Sequence, residues 1–190
     1  MIYLSNGYEE HAETFMRWRH AHIGLDIVRE WAAAFRSGAA VLELGCGHGV
    51  VSQTLVDAGV RLYALDASPT LLQTFRERFP AMQAECAAAE KSSYFERTFD
   101  GVIAVGLIFL LPLEAQQIVL TKVAHALTPG GRFLFTAPQQ ACTWSDEMTG
   151  RESRSLGADT YERLLRGLGL EVGHGRMDEG ENHYLFAVRP

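Results

Sequence analysis

Four runs of nearly uninterrupted apolar residues, AAVLELG (39–45), RLYALD (61–66), FDGVIAVGL (99–107) and RFLFTAP (132–138), are separated by stretches of helical periodicity. A strand with one face in water alternates apolar and polar residues. These runs do not, so each is expected to be buried on both faces. Strand and helix in strict alternation predict a parallel sheet covered by helices on both sides, an α/β fold. The intervening helices read as 48–58, stopped by Gly59, then 67–79, opened by Pro69, and 113–127. Proline is well tolerated in a first helical turn. AMQAEC (81–86) reads as a short extra strand. Ahead of the first run, Tyr8, Ala12, Phe15, Trp18, Ile23, Ile27 and Trp31 recur at three- and four-residue steps, which predicts two helices with a break near Gly24.

After residue 138 the pattern changes. TYERLLRGLG (160–169) is an amphipathic helix, and Asp159 and Thr160 look like its start. LEVGHG (170–175) and HYLFAVRP (183–190) read as two strands joined by the RMDEGEN loop, hence an antiparallel hairpin at the edge of the sheet. Residues 139–158 lack periodicity and are expected to be a long loop of the kind that carries function. The length of 190 residues suits one domain.

Composition narrows the function classes. The net charge is −6 and the basic residues are scattered, which weighs against nucleic acid as a partner. Cys46, Cys86 and Cys142 fit neither a zinc pattern nor a disulfide framework, so no metal is expected and a reducing compartment is the default. MIYLSNGYEEHAETF does not read as a signal peptide, and VIAVGLIFLLPL, broken by Pro112, is too short to span a membrane. A soluble, cytoplasmic protein with no membrane partner is expected.

The first apolar run ends in VLELGCGHG, with Glu43 two residues ahead of glycines 45, 47 and 49. A glycine cluster can be a tight turn and nothing more. As a ligand loop it departs from the phosphate binders: a dinucleotide fingerprint needs its third glycine at 50, where Val50 stands, and a P-loop needs a Gly-Lys-Ser/Thr ending. Asp66 ends the next strand, where an acid can equally serve as a helix N-cap before Pro69.

VLELGCGHG, LYALDASPTLL, MQAECAA, FDGVIAVGLIFLLP and LTPGGRFLFTAP occur in this order over residues 41–138. Together they resemble the motifs of class I S-adenosylmethionine-dependent methyltransferases. The resemblance implies a Rossmann-like, doubly wound, mostly parallel seven-stranded sheet with an antiparallel C-terminal hairpin. It implies one domain: a helical cap (1–36), a cofactor-binding core (37–138), and a substrate-side loop, helix and final hairpin (139–190). It implies S-adenosylmethionine as cofactor, held by Glu43, Gly45, Cys46 and Gly47 of the turn, with Asp66 on the ribose hydroxyls and Ala67 beside it. Glu85 and Cys86 would meet the adenine, and Val105 would complete the site. Tyr8, Phe15 and Arg19 are candidates to close over the cofactor from the N-terminal helices, although Tyr8 and Phe15 suit the core equally well. The ligand chemistry agrees, because S-adenosylmethionine has no phosphate and its methionine arm must pass close over backbone.

The methyl acceptor is less legible. VGLIFLLP lacks the Asn/Asp-Pro-Pro-aromatic motif of enzymes that methylate amino groups of DNA. Phe109 and Leu110 stand where many small-molecule members carry a histidine pair, and Phe109 reads first as core. A small-molecule substrate methylated on O, N or S is expected, with the catalytic residues unknown; His183, Tyr184 and Trp144 are weak candidates. His183 at a strand start is more often structural. Arg151 is expected to pair with Asp178 or Glu179. A methyltransferase fold without chemistry, acting as a cofactor-sensing or partner-binding module, is the alternative.

Overall fold

Mostly apolar runs need a neighbour on each edge and a layer on each face, and the chain supplies both. The computed structural model describes residues 6–18 and 23–190. In chain order these form α1 (Ala12–Trp18), α2 (Leu25–Ala32), β1 (Ala40–Leu44), α3 (Val50–Asp57), β2 (Arg61–Asp66) and α4 (Pro69–Arg78). There follow β3 (Gln83–Cys86), β4 (Phe99–Ala104), α5 (Leu113–Ala126), β5 (Leu127–Thr136), β6 (Ala141–Ser145) and β7 (Glu152–Leu156). The chain ends with α6 (Ala158–Gly167), β8 (Glu171–Val172), β9 (Arg176–Met177) and β10 (His183–Val188).

The main sheet has the order β3-β2-β1-β4-β5-β10-β8. Strands β1 to β5 are parallel, and β10 runs antiparallel to β5. The seventh position, expected as one strand over 170–175, is split in two: β8 pairs with the end of β10 and β9 with its beginning. Alternate residues of the central strands enter two separate cores. Leu42, Leu44, Val102 and Ala104 pack with Val119, Leu120 and Val123 of α5 and Tyr161 and Leu165 of α6. Val41, Leu62, Ile103 and Leu134 pack with α2, α3 and α4. The fold is therefore doubly wound, with both faces buried, as the apolar runs require.

Residues 139–158 depart from expectation. They form a second, two-stranded antiparallel sheet, β6 with β7, in register from Ala141↔Leu156 to Ser145↔Glu152. The inward positions of β7 are Ser153 and Ser155, so the alternation is real but carried by hydroxyls, which hydropathy does not register. Ser155 Oγ donates to the carbonyl of Pro138 at 2.7 Å and accepts from Gly157 N at 3.1 Å. The helix after it starts at Ala158, earlier than its expected start, behind Gly157.

Gln116, fully buried on α5, ties this hairpin to the core. Its amide nitrogen donates to the carbonyls of Leu111 (2.8 Å) and Arg154 (2.9 Å), and its oxygen accepts from Tyr161 Oη (2.7 Å). Gln116→Leu strands two carbonyls and a hydroxyl in the interior. The expected loss is about 2–5 kcal/mol, at about 1–3 kcal/mol per unsatisfied group with partial relief from relaxation. Urea unfolding of the variant checks this.

Candidate active site

The turn after β1 is closed by backbone bonds. The N–H groups of Gly45 and Cys46 both donate to the carbonyl of Leu65 on β2, at 2.7 and 3.0 Å. Glycines 45, 47 and 49 take φ values of +72°, +54° and +90°, a region that side chains rarely adopt. The three have different neighbours. Gly45 faces Leu107 and Gly47 faces Phe15, and both glycines line a cleft of about 250 Å³. Gly49 instead lies under Phe79 and Phe75, where α3 begins against the end of α4. The third glycine thus serves helix packing.

Asp66 joins the first two turns. Its Oδ2 accepts from Gly47 N at 2.7 Å and its Oδ1 from Ser68 N at 2.8 Å. Burial raises its pKa, against the lowering effect of those N–H groups. Asp66 is not the cap of α4. That role belongs to Ser68, whose Oγ accepts from Leu71 N at 3.2 Å. Glu43 is buried, and its Oε2 accepts from Ser52 Oγ.

Glu9 carried no signal in the sequence. It reaches across from the N-terminal segment to the start of α4, where its carboxylate accepts from Ser68 Oγ, Thr70 N (3.1 Å) and Thr70 Oγ1 (2.7 Å). Burial alone would raise its pKa, but the hydrogen bonds from Ser68 and Thr70 outweigh this and lower it. The bond anchors the N-terminal segment beside Asp66, a contact between residues 61 positions apart in the chain.

The structure brings Glu43, Gly45, Cys46, Gly47, Asp66, Ala67, Val105, Tyr8 and Phe15 to the wall of this cleft. Tyr8 and Phe15 meet edge to face at 5.3 Å, and Tyr8 Oη donates to Asp146 Oδ2 at 3.1 Å. Arg19 lies outside the described residues. Burial and the nearby Asp66 and Glu43 charges push the Cys46 thiol well up, so it is no nucleophile at neutral pH.

Glu85 and Cys86 are placed elsewhere. Glu85 accepts from Ser92 Oγ at 2.7 Å, Cys86 is exposed, and the wall beside β3 is made by Ala87, Ala88, Ala89 and Glu90. Strand β3 ends at Cys86, and the chain reaches the cleft only after leaving the sheet.

The cleft wall also includes Leu107, Phe109, Thr136, Asn182 and Tyr184. Phe109, expected as core, is in the wall and packs on Trp144 of β6 at 5.5 Å. Trp144 itself is not in the wall, nor is His183, which is buried against Gly175. Arg151 pairs with Glu10 at 3.6 Å, not with Asp178 or Glu179. Asp178 is held within its own loop by Gly180 N and Asn182 N, both at 2.9 Å, and Glu179 accepts from Gly24 N at 3.1 Å. Asp178 is thus satisfied within its loop and Glu179 by backbone 155 positions away, neither of which spacing alone reveals. Among the described residues no group of three or more His, Cys, Asp or Glu could hold a metal ion, and no helix is long and apolar enough to cross a membrane.

An open α/β sheet with a cleft at the carboxyl ends of β1, β2 and β4, floored by a glycine turn, defines a Rossmann-like protein with its site at the usual edge. Residues 41–131 match the family model described as a methyltransferase domain. The cypemycin N-terminal methyltransferase of a Streptomyces species is 34% identical over 106 residues, 53% of this chain and 43% of that protein. The chain spans about half the length of the curated relatives it matches. Magnesium protoporphyrin IX methyltransferase of Synechocystis PCC 6803, solved with bound S-adenosylmethionine, superposes with a TM-score of 0.75 at 17% identity, covering 98% of this chain and 95% of that one. The CcbJ methyltransferase of Streptomyces caelestis gives 0.77 at 20% identity, with 98% of each chain covered. The chain therefore has the fold of these methyltransferases, and its residues 41–131 are similar to the methyltransferase domain.

Proposed function

We propose that the cleft binds S-adenosylmethionine and that the chain transfers its methyl group to an O, N or S atom of a small molecule. The observation that carries this reading is the convergence of Gly45, Gly47, Asp66 and Val105 on one cleft. Asp66 uses two acceptor positions on Gly47 and Ser68, and a carboxylate offers about four. The capacity that remains suits a ribose diol. Among the described residues, the charged side chains in the wall are the carboxylates Glu43, Asp66 and Glu90, which suit a cationic sulfonium.

In the transfer, a lone pair on the acceptor attacks the methyl carbon in line with the C–S bond. The bonding pair passes to sulfur, leaving a neutral thioether. Alignment of the three atoms supplies much of the rate, and a base is needed only for an acceptor that arrives protonated. Of the three side chains weighed as catalytic, Tyr184 lines the cleft, although it is buried and its hydroxyl packs against Gly24.

Calorimetry with S-adenosylmethionine and S-adenosylhomocysteine tests the shared step: both are expected to bind, and binding of neither removes the reading. Turnover against a panel of small amines, phenols and thiols tests the chemistry. Tight cofactor binding with no turnover on any acceptor would favour the cofactor-sensing module.

A further inference from the structure

The cleft is built across neighbouring strand ends. The glycine turn follows β1, Asp66 ends β2, and Ala87, Ala88, Ala89 and Glu90 follow β3. In the proposed binding mode the methionine arm crosses the turn and the ribose meets Asp66, which leaves the base to the segment after β3, the next strand in the sheet. That segment has left the sheet, so a strand ladder no longer fixes its shape.

Its beginning is tied to β2, where Ala87 N donates to the Asp66 carbonyl at 3.0 Å. The rest is held from α5, 30 to 33 positions away in the chain. Lys122 Nζ donates to the carbonyls of Ala89 and Glu90, each at 3.2 Å, and to that of Ser92. An ammonium has three protons, and these carbonyls use all of them. Hydrogen bonds from a charged donor are also roughly twice as strong as neutral ones. The same Nζ stands 4.5 Å from the ring centre of Tyr94. There the chain enters a left-handed run: Tyr94, Phe95 and Glu96 have φ values of +52°, +56° and +53°. Side chains adopt that region at a cost, and such backbone persists where its surroundings over-determine it. Lys122 touches both the wall segment and the left-handed run, yet it does not line the cleft.

Resting on the reading of the cleft as an S-adenosylmethionine site, we propose that Lys122 is a positioning residue for the base of the cofactor. It touches no ligand. It orders the 87–93 segment in advance as the wall against which the base packs. Without it the ligand must order that segment on binding, and the entropy lost there weakens affinity. The effect is confined to ligands that carry a base.

The test is calorimetry with S-adenosylhomocysteine and, by displacement, with S-ribosylhomocysteine, which keeps the arm and the ribose but lacks the base. The wild type is expected to prefer S-adenosylhomocysteine. Lys122→Met keeps an unbranched stem without donors and is expected to lose about 5- to 30-fold of that preference, the entropy of fixing the backbone of roughly one residue. Its affinity for S-ribosylhomocysteine should not change. Lys122→Arg, whose charged fork retains N–H donors, is expected to keep most of the preference. A wild-type preference in Lys122→Met, or one in Lys122→Arg as low as in Lys122→Met, overturns the proposal while leaving the cofactor reading intact. So does a wild type that binds the two ligands alike. Failure of the wild type to bind S-adenosylhomocysteine overturns both. A lysine that only stabilised the fold would change the folded fraction, which acts on both ligands equally and cancels in the ratio. Should Lys122→Met not fold, Lys122→Gln, with two N–H donors and no charge, takes its place, and an unchanged preference there overturns the proposal.

Discussion

Asp66→Ala is expected to weaken S-adenosylhomocysteine binding by about 1.5–3 kcal/mol, the scale for hydrogen bonds to a charged group, or roughly 10- to 150-fold. Two losses contribute. The ribose diol loses its acceptors, and the N–H groups of Gly47 and Ser68 lose the carboxylate that fixes the glycine turn against the start of α4. Asp66→Asn keeps the size but replaces one acceptor oxygen with a donor, so its loss should be intermediate. Calorimetry on both variants measures this; unchanged affinity in a folded Asp66→Ala protein refutes the assignment. The pH dependence has a defined sign. Burial raises the Asp66 pKa, so the folded chain holds this proton more tightly than the unfolded chain does. Its contribution to the stability of the unliganded fold therefore rises as pH falls through the folded value. Cofactor affinity moves the opposite way, because the protonated acid is a poorer acceptor for the diol. Affinity is expected to start falling at a higher pH than an ordinary aspartate would give.

Gly49→Val is expected to cost about 2–5 kcal/mol of stability, from left-handed backbone at about 1–2 kcal/mol and overpacking at about 1–3 kcal/mol. An added Cβ would lie 2.4 Å from Cε2 of Phe79, with Phe75 3.3 Å away, and both rings are buried, so neither can swing into solvent. Urea unfolding measures the loss. A cost well under 1 kcal/mol would show that the turn relaxes and that Gly49 is there for another reason. Gly45 and Gly47, which face the cleft, are expected to affect ligand binding more than Gly49 does.

Legibility followed the range of the interactions. The hairpin β6–β7 was missed because its buried alternation rests on Ser153 and Ser155, residues that read as loop. Gln116 was missed because a lone glutamine on an apolar helix face looks like a solvated residue until Tyr161, Arg154 and Leu111 converge on it. Glu9 gave no signal because its partners, Ser68 and Thr70, are local features of a different helix.

The backbone of the fold was decided by the sequence alone. Continuous apolar runs require burial on both faces, and their alternation with helical periods leaves a parallel, doubly wound sheet as the consistent outcome. The glycine turn was legible because it answers a short-range demand of backbone geometry at a strand end, whereas Asp66 was singled out by the family resemblance, and its local reading as a helix cap gave way to Ser68. Which carboxylates face the cleft was decided only by tertiary structure. Glu85 and Glu90 are alike as residues, and the difference lies in where folding puts them: Glu85 accepts from Ser92 Oγ outside the cleft wall, while Glu90 is part of that wall. A carboxylate's role depends on its partners, and those partners are set by packing between segments that no local pattern connects.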